Sequence, residues 1–281
     1  MSRLFGVTKS NKDRLPAKIL VHKRGSGPSK PSDSVGRIDP HLVSLVTPDS
    51  IEAEQYRGLR YVVEQMRKTG EEAAAVIGVC SAVPGDGKSI TAINLAGSLA
   101  QDPKARVLLI EVDLRRPSVT VGDHLALGNF AGHSVMDAML NPQLTLEAVT
   151  RYLPAYNLSV LPAGYCPRAP YEVLRSPRFA ELLAQARKRY DYVILDAPPV
   201  VPVPDCRLIA KLVDGFIMVV AARRTPRWAL EEALDLMGPE KMLGLVFNGL
   251  DRSSARNYRY YNYANPKSRN DVSWWQKLGF S

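Results

Sequence analysis

A glycine-bearing loop between an apolar run and an amphipathic run constrains the fold of this chain more than any other stretch. The loop is Ser81-Ala82-Val83-Pro84-Gly85-Asp86-Gly87-Lys88-Ser89, after the apolar residues 73–80 and before residues 90–100. Glycines let such a loop point its amide N–H groups inward at the start of a helix, which is a site for phosphate. Lys88 can reach the outer phosphates, and the Ser89 hydroxyl can ligate Mg²⁺. Ala82 stands where the full phosphate-loop pattern has its first glycine. The predicted nucleotide-binding residues are Pro84, Gly85, Asp86, Gly87, Lys88, Ser89 and Ile90.

Two later apolar runs end in carboxylates. Residues 106–112 read as a buried parallel strand that leads into Glu111-Val112-Asp113, and residues 190–196 end at Asp196, before two prolines. Side chains two apart on a strand share a face, so Glu111 and Asp113 could both point at one Mg²⁺. A strand beside the phosphate-loop strand often ends in an acid that serves the metal or the attacking group. We therefore expect a metal site formed by Ser89, Glu111, Asp113 and Asp196.

The alternation of apolar runs with helical patterns predicts an α/β fold with a doubly wound, mainly parallel sheet and helices on both faces. The expected division is a disordered basic arm at 1–40, a nucleotide-binding domain at 41–251 and a flexible tyrosine-rich tail at 252–281. The last strand, residues 242–247, should be parallel to the others, so that the chain leaves at the nucleotide-binding edge. Asn248 follows this strand. Its side-chain amide could bind a purine edge, or the residue could form an Asn-Gly turn. We include it among the predicted nucleotide-binding residues.

The composition of the chain indicates where the protein works in the cell, but it says little about the chemistry of the predicted site. The 281 residues carry a formal net charge of +9, which indicates an anionic partner without naming it. The three cysteines are too few for a disulfide framework, and no apolar run reaches the roughly 20 residues of a membrane span. We expect a cytoplasmic protein. The basic arm could contact anionic lipid or a partner, or be a solvated tail.

A predicted helix over residues 48–68 carries charges on one side. Glu54, Arg57 and Arg60 recur at i, i+3 and i+6. Such charges usually form a solvated face with weak local pairs. The alternative is a subunit interface in which a Glu meets an Arg of a neighbouring copy.

Four tyrosines crowd the basic C-terminal tail. Tyr258, Tyr260, Tyr261 and Tyr263 lie within six residues and lack the periodicity of a core element. From Asp251 to Tyr258 is about seven residues, which span at most ~25 Å when extended, so a tyrosine hydroxyl could reach a bound γ-phosphate in its own subunit or the next. Two other interpretations remain: stacking on single-stranded nucleic acid, or a merely adhesive aromatic surface.

Taken together, these motifs resemble the bacterial tyrosine kinases of capsular and exopolysaccharide biosynthesis, in the MinD/ParA-like branch of P-loop ATPases. The resemblance covers roughly residues 44–263. It implies a P-loop NTPase fold, ATP and Mg²⁺ as cofactors, and catalytic roles for Lys88, Asp113 and Asp196. It also implies that Glu54, Arg57 and Arg60 build a ring-shaped homo-oligomer. Tyr258, Tyr260, Tyr261 and Tyr263 would be phosphoacceptors, phosphorylated by a neighbouring subunit in a cycle that regulates polysaccharide polymerisation and export.

The resemblance also implies partners. With no membrane span of its own, the chain should act at the inner face of the membrane through a membrane-embedded chain-length-determinant or activator protein. A cognate tyrosine phosphatase is implied, and nucleic acid is not. Val83 stands where positioning and partitioning ATPases carry a second lysine, which argues against that class.

One departure keeps a second function open. Glu111 stands where the family normally has Asp, and its extra methylene puts direct metal ligation in doubt. The alternative function is a regulatory ATP-binding subunit of an export complex, with little or no kinase chemistry. A third, a nucleic-acid-associated ATPase, would show binding that weakens steeply with salt.

Overall fold

A seven-stranded sheet in the order β3-β4-β2-β5-β1-β6-β7 forms the centre of the fold. The computed structural model describes residues 37–68, 75–115, 119–128, 134–166 and 169–249. The strands are β1 (Ala75–Ser81), β2 (Val107–Glu111), β3 (Arg151–Leu153), β4 (Leu158–Leu161), β5 (Tyr192–Asp196), β6 (Gly215–Ala221) and β7 (Met242–Asn248). The helices are α1 (Val43–Val46), α2 (Ile51–Lys68), α3 (Lys88–Ala100), α4 (Val121–His124), α5 (Val135–Leu140), α6 (Leu146–Val149), α7 (Pro170–Arg175), α8 (Pro177–Arg189), α9 (Asp205–Ile209) and α10 (Arg227–Met237). No described helix is both long and apolar enough to cross a bilayer.

The strands are apolar throughout because both faces of the sheet are covered. In β1, Val76 and Cys80 pack into one core with α8, α9 and α10, whereas Ile77 and Val79 pack into a second core with α2 and α3. Continuous apolar strands of this kind are typical of parallel sheets buried on both sides. The predicted doubly wound, mainly parallel architecture is confirmed, with α3, which follows the phosphate loop, on the second face.

One strand departs from the parallel arrangement. The short edge strand β3 pairs antiparallel to β4, with Arg151 opposite Val160. Its sequence carries no apolar run, so nothing in the periodicity predicted it. The polar composition of β3 follows from its position, because one side of an edge strand and much of its face contact water.

The carboxyl ends of the central strands meet at one edge of the sheet. Val79 of β1 lies in register with Asp196 of β5, which in turn lies opposite Glu111 of β2. Strand β7 runs parallel to β6 and brings Asn248 beside Ala221. The expectation that the last strand ends at this edge is therefore confirmed, and the chain leaves the sheet beside the phosphate loop.

The N-terminal segment is attached to the second face of the sheet. Ser50 caps α2 by accepting a hydrogen bond from the Ala53 N–H, and Tyr56, Leu59 and Val63 bury the inner side of that helix. Residues 37–40, which the sequence assigned to the basic arm, lie in the described structure. There the Asp39 N–H donates to the backbone oxygen of His124, 2.9 Å away. The packed part of the chain thus includes the end of the predicted arm.

Candidate active site

The phosphate loop is shaped by two glycines and by the end of β7. Gly85 and Gly87 adopt φ of 84° and 93°, a left-handed conformation that residues with a Cβ rarely take. Asn248 Nδ2 donates to the backbone oxygen of Asp86 at 3.1 Å. A Cβ on Gly87 would lie 2.1 Å from that same nitrogen. Asn248 therefore stabilises the phosphate loop from the end of β7, and it also precedes the turn at Gly249.

Lys88 lies between two carboxylates that come from different strands. Its Nζ is 2.9 Å from Asp113 Oδ2 and 3.5 Å from Asp196 Oδ1. All three side chains are buried, and the ammonium compensates carboxylates that would be costly to bury alone. Burial by itself would lower the pKa of Lys88, but Asp196 and Asp113 hold that pKa above its usual value. Lys88 is thus a fixed cation at the start of α3.

Asp196 retains hydrogen-bonding capacity at the bottom of the site. It is fully buried, and its Oδ2 has no hydrogen-bond partner among the described residues. Burial raises the pKa of Asp196, and Lys88 offsets only part of that effect. An unpaired buried carboxylate oxygen is the kind of group that a cation or a bound water satisfies. Asp196 lies beside the Ser89 side chain, and Ser89 and Asp113 line one cavity, so the oxygen donors of this setting fit Mg²⁺.

Glu111 is directed to the protein backbone. Its Oε1 accepts a hydrogen bond from the Val121 N–H at 3.1 Å, and its Oε2 accepts one from the Ala163 N–H at 3.0 Å. It joins the start of α4 to the loop after β4, and it does not line the main cavity. Across the described residues, no three His, Cys, Asp or Glu side chains are grouped so that they could hold a metal. A metal at this site therefore needs oxygens from the nucleotide phosphates, as Mg²⁺ usually has.

A cavity of about 490 Å³ opens in front of Lys88. Its walls come from the phosphate loop, the end of β2, α4 and the segment after β5. The lining residues are Pro84, Gly85, Gly87, Lys88, Ser89, Ile90, Asp113, Arg115, His124, Pro199, Pro202 and Val203. A second cavity of about 130 Å³ lies behind the loop, beside Asn248 and Arg224. The volume of the main cavity is within the range of small-molecule sites.

Asp86 faces away from the main cavity. It is buried beside the Thr225 side chain, the Val83 backbone and Arg224. Burial raises the pKa of Asp86, against smaller lowering contributions from Thr225, Val83 and Arg224. Of the predicted nucleotide-binding residues, Asp86 and Asn248 thus line only the second cavity, and the other six line the first.

Sequence reasoning missed two parts of the site. Arg115 lines the cavity and forms a two-pronged pair with buried Asp205, through Nε to Oδ2 at 2.8 Å and Nη2 to Oδ1 at 2.9 Å. His124 lines the cavity from the end of α4, and its ring meets Asp39. The sequence signal for α4 is a capping box, in which Thr120 and Asp123 exchange hydrogen bonds. No sequence signal pairs Asp39 with His124.

The predicted interface residues are paired within their own chain. Arg57 donates to Glu54 Oε2 at 2.6 Å and to the backbone oxygen of Pro48 at 2.7 Å. Arg60 donates to Glu64 and, 2.9 Å away, to the backbone oxygen of Ser98. This face of α2 therefore forms ion pairs within the chain. Its role as a subunit interface stays a prediction. The four tail tyrosines lie outside the described residues.

Comparison with known proteins identifies the family of this chain. Residues 74–205 match the family model described as an AAA domain. The chain is 33% identical over 227 residues to the tyrosine-protein kinase YwqD of Bacillus subtilis, a match that covers 80% of this chain and 92% of that protein. It is 32% identical over 222 residues to the succinoglycan biosynthesis transport protein ExoP of Rhizobium meliloti, covering 77% of this chain but 27% of that protein. The chain thus spans nearly the whole length of the first relative and about a quarter of the second.

A solved structure shares the fold of this chain. The crystal structure of the chimeric protein CapA2B2 superposes with a TM-score of 0.66 at 27% identity, covering 77% of this chain and 93% of that one. The Bacillus relative exceeds 30% identity over nearly its full length, which is enough to assign the family. The chain belongs to the bacterial tyrosine-protein kinases of polysaccharide biosynthesis, and its domain has their P-loop ATPase fold.

Proposed function

We propose that this chain transfers the γ-phosphoryl group of ATP to tyrosines of its own C-terminal tail, in a neighbouring subunit, and thereby regulates exopolysaccharide or capsule polymerisation and export. The observation that carries the proposal is the position of Lys88 between Asp113 and Asp196 on the wall of the main cavity. In phosphoryl transfer, catalysis is almost entirely positioning and charge stabilisation. A buried ammonium held by two carboxylates supplies both.

Each side chain has a distinct part in this proposal. The loop amides and Lys88 bind the phosphates, and Lys88 stabilises the charge that develops during transfer. Ser89, Asp113 and Asp196 would hold Mg²⁺, which neutralises charge on the β- and γ-phosphate oxygens when bound. The two amide bonds of Glu111 favour a supporting role for it, so we propose that the metal site uses Glu111 at most through water. The acceptors would be Tyr258, Tyr260, Tyr261 and Tyr263.

The same proposal includes the assembly. We infer a homo-oligomeric ring built through Glu54, Arg57 and Arg60, and association with the inner face of the membrane through a membrane-embedded activator. The name of the Rhizobium relative, a biosynthesis transport protein nearly four times as long as the matched segment, supports such a link. A tyrosine phosphatase would reset the cycle.

The decisive experiment compares wild type with Lys88→Ala after incubation with Mg-ATP, in the presence of a tethered cytoplasmic peptide from the activator. Phosphotyrosine is located by mass spectrometry. Lys104→Ala is the matched control, because it removes the same charge from an exposed lysine. We expect phosphate on residues 258–263 in wild type and the control, and a loss of at least about 10²-fold in Lys88→Ala.

The outcomes separate the two candidate functions. Tail phosphotyrosine that depends on Lys88 supports the kinase. Tight Mg-ATP binding without phosphotyrosine in any variant, even with activator peptide, contradicts it and favours the regulatory ATP-binding subunit. The specific observation behind that second candidate is the engagement of Glu111 by two backbone amides, which removes one acid from the expected metal site.

A further inference from the structure

A cationic and aromatic surface lies where β6 turns into α10. Arg223, Arg224 and Trp228 are exposed there, and Trp228 keeps 61% of its surface in solvent. Arg223 adopts φ of 61°, a left-handed conformation that residues with a Cβ rarely take. None of these three residues, which we call the β6–α10 surface, lines the main cavity. The proposed phosphoryl transfer therefore gives them no role.

The C-terminal tail leaves the sheet at this surface. The N–H of Ala222, the residue before Arg223, donates to the backbone oxygen of Asn248 at 2.7 Å. Gly249 and Arg224 line the same second cavity. The nine residues from Gly249 to Tyr258 span at most about 30 Å. The tail tyrosines can therefore fold back onto the surface beside which the tail begins.

Phosphorylation would reverse the charge of the tail. Residues 252–263 contain three arginines and no acidic residue, so the unmodified segment carries a charge of +3. Four phosphotyrosines add about −6 to −8 at pH 7, which leaves the segment with roughly −3 to −5. Two exposed arginines therefore repel the unmodified tail and attract the phosphorylated one.

The chemistry of the β6–α10 surface matches a phosphotyrosine. Arginine guanidinium groups bind phosphate through two parallel hydrogen bonds, and clusters of arginines recognise phosphorylated residues in proteins. An exposed indole such as that of Trp228 offers an aromatic face against which the ring of a phosphotyrosine can pack. Arg227 lies in the same turn, but the exposed pair that it forms with Glu231 balances its charge. The positive charge of the surface thus comes from Arg223 and Arg224.

We propose that the phosphorylated tail docks on the β6–α10 surface of its own chain, with its phosphates on Arg223 and Arg224 and a tyrosine ring against Trp228. This inference rests on the tail phosphorylation proposed above. The covalent connection favours docking, because a short connection gives the tail an effective concentration in the millimolar range. The docked tail lies outside the main cavity, which is then open to the next acceptor tyrosine.

The test measures how a synthetic peptide of residues 256–263, phosphorylated on its four tyrosines, binds the full-length protein without nucleotide. The protein carries phenylalanine at its own four tail tyrosines, so that no phosphate of the chain competes. Fluorescence anisotropy of the labelled peptide gives the Kd. We expect a Kd at or below about 1 mM, because a tethered tail is then mostly bound. The unphosphorylated peptide should bind at least about 10-fold more weakly.

Substitutions in the surface should weaken this binding. The double variant Arg223→Ala/Arg224→Ala should bind the phosphopeptide at least about 10-fold more weakly. Trp228→Ala should weaken binding by roughly 3–10-fold, as for loss of an aromatic contact. Arg224 lies close to the phosphate loop, since its Nη2 would be 2.8 Å from a Cβ on Gly85. Arg223→Ala alone leaves that contact in place and should still weaken binding several-fold.

The matched control is the double variant Lys104→Ala/Lys188→Ala, which removes two positive charges from exposed positions. Lys104 lies just before β2, and Lys188 lies at the end of α8, just before β5. Both are thus near the amino ends of the strands, at the edge of the sheet opposite to the β6–α10 surface. The control should bind the phosphopeptide within about two-fold of the unsubstituted protein, since salt screens distant charges. Equal weakening in both double variants would indicate nonspecific attraction and overturn the inference.

An anionic membrane is the other occupant that the experiment separates. Phosphatidylcholine vesicles with added phosphatidylglycerol are tested on the same variants. Vesicle binding that depends on Arg223 and Arg224, without phosphopeptide binding, would make the surface a lipid contact and overturn the inference. The peptide's phosphates are synthetic, so failure of the kinase reaction appears only in mass spectrometry of the protein's own tail. Absence of tail phosphotyrosine there would overturn the proposed function and, with it, this inference, whereas phosphorylated tails with an unbound phosphopeptide would overturn the docking alone.

Discussion

At the scale of single residues, Glu111 is a buried carboxyl group whose protonation affects the stability of the folded state. Burial, and then the charge of Asp196, raise the pKa of Glu111 to about 7 from its ordinary 4.5. The hydrogen bonds from Val121 and Ala163 act in the opposite direction but do not cancel the effect. Between these two pKa values the folded state binds more protons than the unfolded state.

The sign of the resulting pH dependence follows directly. The stability that comes from protonating Glu111 is fully present below pH 4.5 and is lost as pH rises through about 7. In EDTA, urea unfolding of wild type should show a free energy of unfolding that falls more between about pH 5 and about pH 8 than that of Glu111→Gln, by roughly 2–3 kcal/mol. Equal pH dependence in the two proteins would contradict a raised pKa at this position.

Asn94 is a buried polar residue that joins the N-terminal segment to the helix after the phosphate loop. Its Oδ1 accepts the Ser44 N–H at 2.8 Å, and its Nδ2 donates to the backbone oxygens of His41 and Ile90, each at 2.9 Å. Asn94→Ala leaves a buried N–H without its partner, so we expect a loss of about 2–4 kcal/mol in the free energy of unfolding.

The control for Asn94 is an exposed residue of the same type. Asn141 follows α5, and its side chain makes one local hydrogen bond, to the Gln143 N–H. Asn141→Ala should cost less than about 1 kcal/mol. Chemical denaturation of both variants measures the comparison, and similar losses would mean that the bonds of Asn94 contribute no more than a surface contact does.

At the scale of elements, the packing of the first core requires a glycine in β1. A Cβ on Gly78 would lie 2.2 Å from Cε1 of Phe216, a fully buried ring on the neighbouring strand β6. Gly78→Ala should therefore force the ring or the strand to shift and cost about 1–3 kcal/mol in urea unfolding. Combining it with Phe216→Leu, which frees space, should cost less than the two single changes add up to.

A second strand glycine provides the matched comparison. Among the described residues other than Gly244 and its two chain neighbours, no heavy atom lies within 4 Å of the position that a Cβ would take on Gly244, in β7. Gly244→Ala should be neutral or stabilise the protein by up to about 1 kcal/mol, because alanine restricts the unfolded chain. Equal destabilisation at both positions would point to a general effect on strands rather than to the contact with Phe216.

The elements that sequence reasoning predicted are those whose pattern is local. The apolar runs at β2, β5 and β7 need no tertiary information, and they appear close to their expected bounds. The edge strand β3 could not be predicted, because Arg151-Tyr152-Leu153 is a strand only through its pairing with β4.

The same distinction applies to the candidate site. Lys88, Asp113 and Asp196 could be brought together from the sequence, since parallel strands end at one edge of their sheet. The contact between Asp39 and His124 could not, because it depends on how the N-terminal segment packs on α4 across 85 residues. Nor could the two amide bonds of Glu111, which come from a helix start and a loop.

At the scale of the whole molecule, the proposed ring depends on the charged face of α2. Arg57 is the cleaner probe of that face, because its bonds to Glu54 and to the Pro48 backbone oxygen are local, whereas Arg60 donates to the Ser98 backbone oxygen on α3. Arg57→Ala should shift sedimentation velocity profiles in Mg-ATP from oligomer toward monomer without lowering the melting temperature appreciably. Removing a partly exposed pair within one helix costs little stability.

The control is an arginine in a similar pair on another helix. Arg227 pairs with Glu231 on α10, with the Arg side chain 70% exposed. Arg227→Ala removes the same charge and should leave the sedimentation profile unchanged. Dissociation in both variants would indicate a nonspecific charge effect, and dissociation in neither would remove α2 from the interface.

Accumulated phosphate on the tails should reverse the assembly. Each phosphotyrosine adds about −1.5 to −2 charge at pH 7, so four would change a chain of net charge +9 by roughly −6 to −8. Adjacent tails that attract anionic surfaces before phosphorylation would then repel one another. Wild type incubated with Mg-ATP should sediment first as an oligomer and later as smaller species, in step with its phosphotyrosine content.

The variant with phenylalanine at Tyr258, Tyr260, Tyr261 and Tyr263 tests this cycle, because it keeps the aromatic surface and removes the acceptors. It should remain oligomeric in Mg-ATP at all times, as should Lys88→Ala if it still binds nucleotide. Higher salt should slow the dissociation of wild type, since the Debye length falls from about 8 Å at physiological ionic strength to about 3 Å at 1 M. Dissociation of the phenylalanine variant at the wild-type rate would show that nucleotide turnover, rather than charge on the tails, opens the ring.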